Sequence, residues 1–171
     1  AGGLLIFILE YNNPKTISDM SLFEKIQVSL FQSVTTRTAG FASIPQEDLT
    51  GAGAMVSVIL MIIGGSPVGT AGGIKTVTFA VLFCSAFSTI RNKNETNLFN
   101  RTVSNDSIRK AIAVLMTFTT VTLTSIILLA SVCNAPIIDI IYECVSATAT
   151  VGLSRNLTPS LNFIGKVIII V

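Results

Sequence analysis

The chain has 171 residues, half of them apolar, with 12% charged and a mean hydropathy of +0.74, whereas a soluble domain carries about 25% charge. Eleven basic against nine acidic residues leave a net charge of +2, too little for a nucleic-acid surface driven by bulk charge. No His is present, which removes the commonest general base, the Ser-His and Cys-His nucleophile systems and most zinc sites.

The three cysteines, Cys84, Cys133 and Cys144, are dispersed through apolar stretches without CxxC spacing, so no disulfide framework is expected. The composition points to an integral membrane protein with no acid, base and nucleophile to converge on a substrate. The sequence opens inside one apolar run (4–9) and stops inside another (167–171). Neither supplies the roughly 20 apolar residues of a spanning helix, and the chain reads as an internal piece of a longer protein.

Residues 1–11 read as the end of a spanning helix and 12–20 as a polar loop. Ser21 and Glu24 have capping-box spacing and open a short helix over about 21–34, too polar to span. Residues 35–48 are irregular. Apolar stretches follow at 52–63 and 74–90, parted by the segment 64–73 with five Gly and one Pro. Residues 91–110 are polar and hold five of the basic residues, Arg91, Lys93, Arg101, Arg109 and Lys110. A spanning helix is expected over about 110–132. Asn134 is positioned to cap a further short helix over about 135–147, and a final apolar segment follows Pro159. The positive-inside rule puts 91–110 in the cytoplasm and the loops at 12–20, 42–50 and 134–139 outside. Three Asn-x-Ser/Thr triplets within 94–107 pull the other way, but an Asn-rich loop yields them by chance and the charge bias decides.

A repeat runs through this pattern. Gly40 and Gly152 lie 112 residues apart, and at that offset Thr36 falls on Thr148, Thr38 on Thr150, Leu49 on Leu161 and Gly53 on Gly165. Both copies read Thr-x-Thr-x-Gly, each after a short helix and before an apolar one. The unit is spanning helix, short helix, Thr/Gly loop, spanning helix, with a re-entrant hairpin on the outer side. Irregular backbone at membrane depth is tolerated where it is buried in protein or lines a wet cavity. A half-spanning helix entering from outside points its partly negative C-terminus inward, and a ring of carbonyls there replaces a dehydrated cation's water shell. No Asp or Glu lies within 35–41 or 148–153, so the expected ion is a weakly hydrated monovalent one, K⁺ before Na⁺.

The segments SVTTRTAGF (33–41), GGSPVGTAGGIKT (64–76) and SATATVGLS (146–154) resemble the Trk/Ktr/HKT superfamily of potassium transporters, and most of all the bacterial Ktr-type membrane subunit. The resemblance covers essentially the whole chain, and the Gly-rich segment is its most specific part. It implies an all-α integral membrane protein of repeated helix–pore-loop–helix units, of which this chain matches the third and fourth. The third repeat would be 1–90, with its pore helix at about 21–34, filter at 35–41 and a broken second helix at 51–90. A cytoplasmic linker (91–107) and the fourth repeat (108–171, filter 148–153) would follow.

The resemblance further implies K⁺ uptake across the plasma (inner) membrane by a multi-pass protein with filter loops toward the outside. Thr36, Thr38, Ala39, Gly40, Thr148, Thr150, Val151 and Gly152 become the filter residues. The carbonyls of Thr38, Ala39, Thr150 and Val151 would hold K⁺, which is cargo; no cofactor is expected, and Na⁺ coupling stays open. It implies a homodimer of membrane subunits in the bilayer, on a cytoplasmic ring of nucleotide-binding regulatory subunits, with no nucleic acid.

Three features leave alternatives. Arg37 would brace the filter from behind, paired with Glu143, Glu47 or Asp48, or would be a solvated arginine at the outer mouth. Segment 64–73 is not a Walker A loop, because the order is Gly73-Ile74-Lys75-Thr76. It is either a passive kink or, as the resemblance favours, a gating loop of Gly64, Gly65, Pro67, Gly69, Gly72 and Gly73 with Lys75 as an intramembrane charge. At the level of function, the other class is a secondary transporter whose broken helices bind a substrate at mid-membrane; a structural scaffold has no reason to repeat Thr-x-Thr-x-Gly.

Overall fold

The computed structural model of the chain describes residues 2–67, 71–91, 97–98 and 101–170. Gly69, Lys93, Glu95 and the triplets starting at Asn94 and Asn100 therefore fall wholly or partly outside the described residues. The fold is helical: α1 (Gly2–Glu10), α2 (Leu22–Thr35), α3 (Gly51–Ile62), α4 (Thr76–Ile90), α5 (Asn105–Val132), α6 (Ile137–Thr148) and α7 (Phe163–Ile170), with a 3₁₀ turn at Thr158–Ser160. Two short extended contacts interrupt it. Asn97–Leu98 pairs antiparallel with Arg101–Thr102, and Ile63 bridges Ile74 in parallel.

Among the described residues α5 is the helix long and apolar enough to cross a membrane, with 28 residues. That is about 42 Å of helix against a hydrocarbon core of about 30 Å. Its hydroxyls do not oppose this. Thr117, Thr120, Thr122, Thr124 and Ser125 each donate to the carbonyl four residues back, so none is left unpaired in an apolar medium. Helices α3 and α4 are apolar but shorter, because the chain breaks between them.

Helix α2 starts where its sequence dictates. Ser21 Oγ accepts from the Glu24 amide at 3.4 Å, and Glu24 Oε2 accepts from the Ser21 amide at 2.8 Å. For α6 the expected cap is corrected. The N-cap is Pro136, not Asn134; its carbonyl accepts from Asp139 and Ile140, and Asp139 puts a negative charge in the first turn, where the helix dipole favours it.

Helix α1 packs on α2 and α3, α3 on α6, and α6 on α5 and α7. The main core joins Ile17, Ile44, Leu49, Val58, Met61, Tyr142, Val145 and Val151. It therefore binds both loop regions, α3 and α6 into one body around α6. A fully buried Glu10 closes the far side. Its carboxylate accepts from Asn13 Nδ2 (2.6 Å), Thr16 Oγ1 (2.9 Å), the Thr50 amide (3.0 Å) and Thr50 Oγ1 (2.6 Å). Four donors offset the desolvation of the carboxylate, and they pin the end of α1 to the start of α3.

The 112-residue spacing extends to helix starts. Helix α3 begins at Gly51 and α7 at Phe163. Thr50 Oγ1 accepts from the Gly53 amide at 3.0 Å, and Asn162 Oδ1 accepts from the Gly165 amide at 2.8 Å.

Candidate ion site at two paired loops

Both Thr-x-Thr-x-Gly loops follow the C-terminus of a short helix, α2 or α6. In the first, the Ala39 and Gly40 amides both donate to the Thr35 carbonyl, at 3.1 and 3.3 Å. Thr35 Oγ1 donates to the Phe41 carbonyl (2.6 Å) and accepts from the Phe41 amide (2.8 Å). One buried threonine thus closes the loop. In the second, the Thr150 and Val151 amides donate to Ala147 and Ser146 carbonyls, at 3.0 and 2.8 Å.

Four of the six positive-φ residues among those described lie in these loops: Thr38 (65°), Gly40 (76°), Thr150 (53°) and Gly152 (87°). They are the same two positions of each copy. Thr pays a steric cost in the left-handed region that Gly does not. Alternating the hand of successive residues lets neighbouring carbonyls share one side instead of pointing to opposite sides.

The two loops meet. A Cβ on Gly40 would run into the Val151 carbonyl, and Gly152 Cα lies 3.7 Å from that point. The hydroxyls of Thr36, Thr38 and Thr148 donate to the carbonyls of Ser33, Arg37 and Cys144, so their protons are spent on the backbone while their oxygens keep acceptor capacity. Val151 is buried, whereas Ala39, Thr150 and Gly152 are exposed.

The Gly-rich segment is pinched at its neck. The Gly64 amide donates to the Ile74 carbonyl (2.9 Å) and the Ile74 amide to the Ile62 carbonyl (3.0 Å). Gly64 lies against the Gly72 carbonyl, and Gly65 faces Ala71. Pro67 is exposed at a turn, and Gly73 has φ 69°. Lys75 stands at the N-cap of α4 and its Nζ donates to the Ala71 carbonyl at 2.8 Å. At Gly72 the segment touches the second loop, where a Cβ would run into the Ala149 carbonyl and Thr150 Oγ1.

Arg37 is exposed and makes no ion pair among the described residues. Glu143, a proposed partner, is buried and already engaged. It accepts from Ser154 Oγ (2.5 Å), Thr158 Oγ1 (2.8 Å) and the Arg155 and Leu157 amides (3.1 and 3.3 Å). The arginine that reaches between segments is Arg155, which the motif reading passed over. Its Nε donates to Asp139 Oδ1 at 2.6 Å, and its Nη1 and Nη2 donate to the Gln46 and Glu47 carbonyls at 2.5 and 3.0 Å. Gln32, Gln46 and Tyr142 were missed too; the available signal was a large polar side chain inside an otherwise apolar helix face or loop.

The chain is thus helical, with a helix long and apolar enough to cross a membrane among the described residues and two copies of one loop motif in contact at their glycines. The TrkH family model, described as cation transport protein, matches residues 3–171, and the chain belongs to this family. It is 40% identical over 168 residues to Ktr system potassium uptake protein B of Bacillus subtilis (strain 168), covering 98% of this chain and 38% of that protein. It is 35% identical over 170 residues to the Ktr system potassium uptake protein B of Vibrio alginolyticus, covering 99% and 37%. Against the potassium/sodium uptake protein NtpJ of Enterococcus hirae the identity is 33% over 173 residues, covering 99% and 38%. The chain thus spans under two fifths of the length of these relatives.

Proposed function

We propose that the chain contributes two of four pore repeats to a K⁺ uptake protein, with residues 35–41 and 148–153 as two quarters of a carbonyl-lined selectivity filter. The observation that carries this is the recurrence of left-handed Thr and Gly at 38, 40, 150 and 152, with Gly40 packed against the Val151 carbonyl. The C-terminal ends of α2 and α6 add partial negative charge, and no carboxylate in either loop competes with the carbonyls for the ion. A carrier with broken helices would use inverted repeats; with 91–110 as one cytoplasmic crossing, both Thr/Gly loops open to the outside and the repeats are parallel, as a pore requires.

In this reading Gly64, Gly65, Pro67, Gly69, Gly72, Gly73 and Lys75 belong to a gating loop on the cytoplasmic side of the filter. The contact of Gly72 with Ala149 and Thr150 supports that role. Residues 91–110 face the cytoplasm. The assembly is a multi-pass homodimer in the plasma membrane on a nucleotide-binding cytoplasmic ring, with K⁺ as cargo and no cofactor. The test is competition between K⁺ and Na⁺ for uptake by the full-length protein. Gly40→Ser and Gly152→Ser should each broaden uptake toward Na⁺. Unchanged discrimination in both, at normal membrane abundance, would sink the filter assignment.

A further inference from the structure

We propose that Gln46 is a positioning residue that locks the two filter loops to one another, and that ion discrimination depends on it. This rests on the filter reading above. Gln46 lies in the segment 42–50, is 3% exposed and has no apolar role there. Its carboxamide is saturated. Oε1 accepts from Gln32 Nε2 and from Tyr142 Oη (2.9 Å), while Nε2 donates to Gln32 Oε1 (3.2 Å) and to the Ile44 carbonyl (2.8 Å). Two donors and two acceptor sites are all that a carboxamide offers.

The partners sit on the two short helices that end at the loops. Gln32, fully buried, is three residues before Thr35, whose hydroxyl closes the first loop on Phe41. Tyr142, also fully buried, is on α6, which ends at Thr148 in the second loop. The Gln46 carbonyl takes the third tie, from Arg155 Nη1, three residues past Gly152. The Arg155 guanidinium also lies over the Tyr142 ring at 5.8 Å and holds Asp139. One side chain and its carbonyl therefore tie the segment after the first loop to the helix before each loop and to the segment after the second.

Carbonyls that replace a hydration shell discriminate only while their spacing and number are held, and supporting hydrogen bonds decide whether such a site is held or loose. Buried networks lose this function when one member is left half-satisfied. The variants follow from the geometry. Tyr142→Phe deletes one hydroxyl and keeps the ring, and Gln46→Met keeps the length and removes all four bonds.

The experiment measures the K⁺/Na⁺ uptake ratio, alongside thermal stability and membrane abundance, in the full-length protein. Tyr142→Phe should lower the ratio about fivefold, the change carried by one buried hydrogen bond. Gln46→Met should lower it further, and adding Tyr142→Phe to Gln46→Met should change little more, since the shared bond is already gone. A network that only supports folding would lower stability and leave the ratio at the wild-type value. That result, with Gly40→Ser and Gly152→Ser still altering the ratio, overturns this inference alone. Ratios unchanged in the glycine variants as well would overturn the filter reading and this inference with it. If Gln46→Met fails to accumulate, Tyr142→Phe alone decides.

Discussion

Gly40 and Gly152 occupy equivalent places but are not equally intolerant. Both have φ in the left-handed region, where a side chain costs about 1 kcal/mol or more. A Cβ at Gly152 meets its nearest neighbour, Gly40 Cα, at 4.0 Å, whereas one at Gly40 collides with the Val151 carbonyl. Gly40→Ala should therefore destabilise the protein more than Gly152→Ala, which thermal unfolding of the detergent-solubilised protein will measure. Arg155 belongs at the same scale. Its side chain is 9% exposed and paired with Asp139, so Arg155→Ala strands that carboxylate and two carbonyls and should cost about 2–3 kcal/mol. Arg155→Lys keeps the charge but not the fork, and should recover only part of it. The glycines were legible in the sequence because few residue types tolerate such backbone. Arg155 was not, because its partners at 46 and 47 are more than a hundred residues away. Arg37 drew attention by lying inside the motif, yet it is exposed.

Helix α2 was readable from its polarity and the Ser21–Glu24 spacing, and α6 from its place before the second Thr/Gly loop. The start of α6 was not, since Asn134 has the commoner capping chemistry and Pro136 takes the position. The Ser21 hydroxyl, and then the Ser21 amide, hold the Glu24 carboxyl below its ordinary range. A lowered folded-state value means that this contribution is present above the unfolded-state value and is lost as pH falls through the folded one. Glu24→Ala should lower stability at neutral pH and flatten the acid limb of the stability profile; an unchanged acid limb would show that the box contributes nothing. The segment between α3 and α4 was readable as a break but not as a neck closed by Ile63 and Ile74. Because its two ends are already joined, removing residues 66–71 should leave α3 and α4 in place. In flux assays the deletion should raise uptake and weaken regulation with selectivity intact. Gly72→Leu, which cannot sit against Ala149 and Thr150, should also raise uptake and weaken regulation, but with altered selectivity, because the clash falls on the second loop. Wild-type flux and regulation in a folded deletion variant would make the segment a kink.

Across the whole chain, one 112-residue offset relates the Thr/Gly loops, the left-handed positions, the helix starts at Gly51 and Phe163, and the caps at Thr50 and Asn162. The repeat was visible in the letters, because backbone requirements are written in residue type. What joins the two copies was not, because it runs through Gln32, Gln46, Tyr142 and Arg155, which have no counterparts at that offset. The central claim is that these loops together hold a dehydrated monovalent cation. Anomalous scattering from Tl⁺ or Rb⁺ soaked into crystals of the full-length protein tests it most directly. A peak is expected at the carbonyls of Thr38, Ala39, Thr150 and Val151, displaced by excess K⁺. Ordered loops with no peak there, and a displaceable peak elsewhere in the protein, would contradict it.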